Sequence, residues 1–241
     1  MPKRRGVPGL GAPRALPVPG SSTRSAKKLW LVAADAPLDA FGAEAINRRI
    51  SDLDWVSRVA VAHEAIVESF LTADALLPMK LFTIFTSDER ALAHMAAERA
   101  QVDRVLDRVA GREEWSVRVV LDRLPAGPPP RGAAAASGTS YLSRKKEQRE
   151  ARAELLQLSK EVVTDLFDRL SAVATDARRR ATSDTPAQNG PLLLDAAFLV
   201  PHTRASRFRS AAETRARQLY PRGYRVSLVG PWPPYSFLQD A

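Results

Sequence analysis

Cysteine is absent from the 241 residues. The chain therefore has no disulfide framework, thiolate zinc site, iron–sulfur cluster or cysteine nucleophile. Histidine is scarce, with only His63, His94 and His202, which argues against a histidine-rich metal centre. No apolar run approaches the roughly 20 residues that span a bilayer. The longest, Leu192 to Val200, is short and carries Asp195. Gly9 and Gly11 precede no helical pattern, and no glycine-rich phosphate loop with its lysine occurs. The basic start runs into proline and glycine rather than an apolar stretch, so no signal peptide is expected and a cytoplasmic location is the default.

What is present is ordinary globular material: 45% hydrophobic and 26% charged residues, enough for one large domain or two small ones. The net charge of +9 invites a nucleic-acid reading. Its distribution weakens that reading. Residues 1–28 hold Lys3, Arg4, Arg5, Arg14, Arg24, Lys27 and Lys28 and no acid, leaving 29 basic and 27 acidic residues elsewhere. Rich in proline and poor in large apolar side chains, 1–28 is expected to be a disordered basic arm. Its functional reading is an electrostatic tether to RNA or to an acidic partner.

The remainder alternates strand and helix signals. Leu29–Val32 reads as a buried strand, Phe41–Ile50 as a helix, and Ser51 or Asp52 as the cap of a second helix with an apolar stripe through Val56, Val59, His63 and Val67. Leu76–Phe85 reads as a strand, with Pro78 at its start or on an edge. Thr86 and Glu89 form a capping box for a helix that ends at Gly111. Glu114–Leu121 is a strand. Pro125 to Ala136, with Pro128, Pro129 and Pro130 in a row, marks a domain boundary. A long helix is expected from Tyr141 to Arg180 with its stripe at Leu155, Leu158, Val162, Leu166, Leu170 and Val173. Loop 182–190, a buried strand Leu192–Val200, a helix opened by Thr203 or Ser206, and a strand Tyr224–Val229 complete the chain. The fold class is α+β: a basic arm (1–28), an N-terminal α+β domain (29–124), a linker (125–138) and a C-terminal α+β domain (139–241).

Chemistry is thinly represented. His63-Glu64 lacks the second histidine of a zinc-protease helix, since position 67 is Val. Ser143 and Lys146 match the S-x-x-K spacing, but the companion motifs are absent and the serine sits in a basic turn at a helix start. Paired carboxylates such as Glu113-Glu114 fall at element ends, where capping explains them. Arg178-Arg179-Arg180 reads as a helix C-terminus complementing the macrodipole, or as a phosphate-contacting patch. No metal, cofactor or catalytic residue is assigned, and no enzyme activity is expected. Gly230-Pro-Trp-Pro-Pro-Tyr-Ser-Phe237 stands out as rigid, aromatic and nearly free of charge. It reads either as a stiffened turn packed on the core or as an aromatic surface for an apolar partner.

That segment resembles the C-terminal signature of the gas vesicle protein GvpL/GvpF family. Three further stretches resemble the family in order: Leu77-Pro-Met-Lys-Leu-Phe-Thr-Ile-Phe85, Glu114-Trp-Ser-Val-Arg-Val119 and Ser137-Gly-Thr-Ser-Tyr-Leu-Ser-Arg144. The resemblance covers about residues 29–241. It implies two α+β domains, the second a modified ferredoxin-like one, and a non-enzymatic accessory role in gas vesicle formation, with localisation in the cytoplasm at the vesicle. The implied partners are the small, very hydrophobic major shell protein and other accessory proteins. Family members open with a short tyrosine-rich strand ahead of the Leu29–Val32 strand, and here the Pro/Arg-rich arm takes that place. Apolar character beside an edge proline nominates Pro78, Met79, Phe82, Phe85, Trp232, Pro234, Tyr235 and Phe237 as partner-binding residues. The rival reading is a nucleic-acid-binding protein acting through the arm.

Overall fold

The computed structural model describes residues 10–19, 28–121, 138–181 and 190–238, with side chains of 138–156 described only at Lys146 and Glu150. The rest of the expected arm, most of the 125–138 segment and the 182–189 loop lie outside the described residues. The chain divides into two compact units, residues 1–112 with 232–241, and 113–231. The expected linker at 125–138 lies within the 113–231 stretch, nearly all of it outside the described residues.

The first unit opens with a correction. Part of the expected arm is a strand: β1 (Arg14–Pro17) pairs antiparallel with β2 (Trp30–Ala33), with Leu16 opposite Leu31. A short apolar stretch was enough, because Val18 at its end is buried with Leu29, Leu31, Met95 and Val102. Arg14 is held by Asp35 at 2.8 Å and Asp88 at 2.7 Å, which places its guanidinium pKa well above its usual range.

Helices follow. The expected 41–50 helix is two pieces, α1 (Leu38–Phe41) and α2 (Ala43–Arg49), parted at Gly42. α3 (Leu53–Glu68) is capped as read, the Asp52 carboxylate accepting from the Trp55 N–H at 3.0 Å, and it buries Trp55, Val59 and Val67. The capping-box helix is also two, α4 (Asp88–Ala97) and α5 (Arg99–Val109). Its cap is Ser87 rather than Thr86, accepting from the Arg90 N–H at 3.3 Å. Gly111 ends the run at φ 66°, where a side chain would be strained.

The second unit runs β3 (Arg112–Leu121), α6 (Gly138–Ser171), β4 (Asp176–Arg179), β5 (Leu192–Pro201), α7 (Ala205–Leu219) and β6 (Tyr224–Trp232). The sheet order is β4-β5-β3-β6. This βαββαβ sequence and strand order are compatible with a ferredoxin-like arrangement. Alternate residues of β3 (Trp115, Val117, Val119, Leu121) and β5 (Leu194, Ala196, Phe198, Val200) form one core with Leu166 and Leu170 of α6 and Phe208 of α7. Phe198 is its centre, 5.5 Å from the Phe167 ring and 5.2 Å from Phe208. The expected α6 stripe holds at Leu166, Leu170 and Val173, with Val162 packed against the core, but Leu158 is half exposed, and Ser159 beside it is buried and shares a 3.1 Å hydrogen bond with the Tyr224 hydroxyl.

The long helix stops nine residues early. Arg178 and Arg179 belong to β4 and Arg180 follows it, so the basic run is not a helix end. Helix propensity favours continuation through arginine, but here pairing with β5 wins, Ala177 opposite Phe198.

Candidate functional site

All eight nominated residues belong to the first unit. The stretch around Leu76–Phe85 is extended but joins no ladder, contrary to the strand expectation. The cause is local. Phe82 adopts φ 63°, and the Thr83 N–H donates to the Lys80 carbonyl at 3.1 Å, closing a turn that the Thr83 hydroxyl reinforces at 2.7 Å. A left-handed phenylalanine costs about 1 kcal/mol or more. Its ring, stacked on Trp55 at 5.5 Å and 7° interplanar, offsets that cost. Pro78 is buried, Met79 packs in the cluster of Val18, Met95 and Val102, and Phe85 lies 5.4 Å from the His94 ring.

The C-terminal segment is likewise anchored. β6 extends through Trp232 and includes Pro231, and Pro233 and Pro234 follow the strand. Pro234 is buried and Phe237 is fully buried. Trp232 and Tyr235 keep partial exposure. The Tyr235 hydroxyl donates to the Glu64 carboxylate at 2.5 Å. Burial and that carboxylate hold the phenol well above its usual range. Phe82 and Tyr235 thus both rest on α3, but Trp55 and Glu64 are nine residues apart, about half a turn out of phase, so the two segments use opposite flanks of it.

A feature that the sequence reading missed lies in the β1–β2 ribbon. The Val18 N–H donates to the Leu29 carbonyl at 3.0 Å. Bonded pairs alternate in an antiparallel ladder, so Leu16/Leu31 and Arg14/Ala33 are bonded, and Ala15, Pro17, Trp30 and Val32 turn their backbone groups outward. On the β1 side the outward register positions 13, 15, 17 and 19 are Pro13, Ala15, Pro17 and Pro19. Three of the four have no N–H, so this edge cannot template a further strand. The β2 side has no such guard. Trp30 and Val32 make no backbone bond on that side among the described residues, and the Trp30 side chain is 54% exposed. The alternate prolines at 13, 17 and 19 were visible in the sequence, but without a register they read only as disorder.

The remaining candidates have structural uses. Arg180 bonds the buried Glu114 at 2.7 Å and Asp195 at 3.1 Å, and Arg118 reaches Asp195 at 3.1 Å, binding β4, β5 and β3 together. Arg179 lies 4.4 Å over the Phe167 ring. These contacts leave the phosphate-patch reading of the run without support. Lys146 faces Glu150 across one helical turn at 3.8 Å, while the Ser143 side chain lies outside the described residues. His63 is half buried on α3. No group of three metal-ligating side chains occurs among the described residues, and no described helix is long and apolar enough to cross a membrane. Shallow grooves of about 240 and 530 Å³ along α6 are lined largely by charged side chains, including Glu161 and Asp165.

The fold and these surfaces define a two-unit α+β protein whose most distinctive exposed feature is a one-sided strand edge. Crystal structures of gas vesicle protein GvpF share the fold. The one from Anabaena sp. PCC7120 has a TM-score of 0.58 at 20% identity, covering 76% of this chain and 78% of that one. The one from Microcystis aeruginosa has a TM-score of 0.55 at 18% identity, with the same coverage. Gas vesicle protein L of Streptomyces sp. (strain CB03234) is 30% identical over 215 residues, 87% of this chain and 79% of its own. Gas vesicle protein L2 of Halobacterium salinarum is 27% identical over 214 residues, 78% of this chain and 74% of its own. The family model described as gas vesicle synthesis protein GvpL/GvpF matches residues 19–239. The chain belongs to the GvpL/GvpF family, and its role is that of a gas vesicle accessory protein.

Proposed function

We propose that this protein works in gas vesicle assembly in the cytoplasm, holding the small apolar shell protein by adding one of its strands to the outer edge of β2. The observation that carries this reading is the asymmetry of the ribbon, with a proline-guarded β1 edge and an open β2 edge beside an exposed Trp30. A shell subunit with exposed apolar strands aggregates by edge pairing unless something covers it. An unguarded edge supplies main-chain hydrogen bonds to such a strand, and a neighbouring aromatic supplies apolar contact. The guard on β1 keeps the ribbon from propagating pairing on both sides. Among the residues nominated from sequence, Trp232 and Tyr235 are proposed as a second contact because they keep partial exposure. Pro78, Pro234 and Phe237 support the unit from within. Other accessory proteins of the vesicle are further partners in this reading, and catalysis has no part in it.

The test is co-purification of the shell protein with tagged full-length chain at low and high salt. Val32→Pro removes one outward N–H without touching a β1–β2 bond, so capture should fall at least about tenfold with the fold intact. Trp30→Glu, at a half-exposed position, should weaken capture by a similar factor. Capture unchanged in both variants would overturn the edge. Capture lost only in Trp232→Ala/Tyr235→Ala would move the site to the C-terminal segment.

A further inference from the structure

We propose that the outer face of α7 and its flanks form a docking surface for an acidic protein segment, independent of the β2 edge. From His202 to Arg225 the chain carries Arg204, Arg207, Arg209, Arg215, Arg217, Arg222 and Arg225 against the single acid Glu213. Four of these have internal contacts. Arg215 bonds Asp165 at 2.5 Å and Gln218 at 3.0 Å, Arg217 reaches the Thr214 hydroxyl at 3.3 Å, Arg222 lies 5.9 Å from the Tyr224 ring centre, and Arg225 is engaged within the structure. Arg204, Arg207 and Arg209 are exposed and have no ion-pair partner among the described residues.

Helix stability does not account for these three. The first turn of α7 holds no acid, and its cap, Arg204, makes no side-chain capping bond. Cations at that end oppose the macrodipole, which favours anions there. Partner carboxylates would relieve both the like-charge repulsion and the dipole conflict. The cations after Lys160 are all arginine or histidine, and a guanidinium fork matches a carboxylate in two-point geometry.

The same chemistry could meet phosphate, and the surroundings decide against a nucleic acid. Phe208 of α7 is fully buried, and Tyr220 just past the far end of the helix, 64% exposed, is a single ring about 16 Å or more along the axis from Arg209, so no row of aromatics accompanies the three cations among the described residues. Glu213 on α7 and Glu161, Asp165 and Asp168 on neighbouring α6 break the positive field that a phosphate backbone follows. A helix of 15 residues presents about 22 Å of surface, the reach of a short peptide segment.

The experiment uses the full chain with two labelled probes: a short Glu/Asp-rich peptide and single-stranded DNA of equal charge. Fluorescence anisotropy is read across a salt series. Wild type should bind the peptide more tightly than the DNA, and the affinity should fall as salt rises. R204E/R207E/R209E should lose about tenfold or more of the peptide affinity at a melting temperature no lower than that of wild type. The neutral variant R204Q/R207Q/R209Q should fall in between, and it replaces the charge reversal if that variant fails to fold. Peptide affinity unchanged in the neutral variant, no peptide binding by wild type, or tighter binding of DNA at every salt concentration would each overturn the proposal.

Discussion

The two units are built to different standards. The second has a four-stranded sheet and one continuous core in which Val117, Val119, Phe198, Leu199, Val200 and Phe208 are fully buried. The first has a two-stranded ribbon and two smaller clusters, one on Trp55 and one on Val18 and Met95. It also holds six of the large exposed apolar side chains: Trp30, Leu38, Ile50, Leu53, Val61 and Ile84. A two-stranded ribbon is marginal by itself, and thin cores open at low cost. The difference teaches where rigidity sits: the second unit has the continuous core, and the first leaves more apolar side chains exposed, including the Trp30 that the proposed capture uses.

The sharpest way to break this comparison is at Phe198. Phe198→Ala should cost about 3–5 kcal/mol in chemical denaturation, because a fully buried ring leaves a cavity among Phe167 and Phe208. A loss below about 1 kcal/mol would show that the second core is loose too. Next comes the ion cluster. Arg180→Met should cost about 3 kcal/mol by removing a charged partner of the buried Glu114 and of Asp195, and Arg180→Met/Glu114→Leu should recover part of it. Equal losses in the single and double variants would show that the pair adds nothing specific.

Smaller effects sharpen the first unit. Ser87→Ala removes the α4 cap and should lower stability by about 1 kcal/mol, read as faster amide exchange in α4 with β5 unchanged. Slower exchange in α4, or none faster, would remove the cap from the account. Tyr235→Phe should cost at most about 1 kcal/mol at neutral pH, since the segment stays packed through Phe237. Its pH signature is more telling. The folded state holds the Tyr235 phenol above its ordinary value of 10.0, so it binds the proton more tightly than the unfolded chain does. This contribution is full below pH 10 and declines as pH rises beyond it. A melting series from pH 8 to 11 should therefore show a steeper alkaline decline in wild type than in Tyr235→Phe. Parallel curves would mean that neither burial nor Glu64 holds the phenol protonated in the folded state.

Much of the second unit was legible in the sequence. The continuous run Leu192–Val200 and the alternation of Glu114–Leu121 and Tyr224–Val229 became β5, β3 and β6, because burial on one or both faces writes itself into residue order. Asp52 and Gly111 were legible as start and stop chemistry, because their roles are local. The first unit read less well. The 76–85 stretch has a strand's composition but turns at Phe82, because stacking on Trp55 outweighs backbone preference. The arm concealed β1, since four residues carry too little periodicity to register.

Composition alone excluded thiol chemistry, and local patterning determined much of the alternation of strands and helices along with the Asp52 and Gly111 ends. Both depend on neighbours in sequence. The α4 cap, by contrast, moved to Ser87, and α7 opens at Arg204 rather than at Thr203 or Ser206. The order β4-β5-β3-β6, the burial of Phe237 and the diversion of Arg178 and Arg179 into an edge strand depend on partners well beyond the local sequence, and only the tertiary structure decided them. The same holds for the β2 edge. Pro13, Pro17 and Pro19 become a guard only when a register places them on one side of a strand, and register is a relation between two segments that neither contains alone.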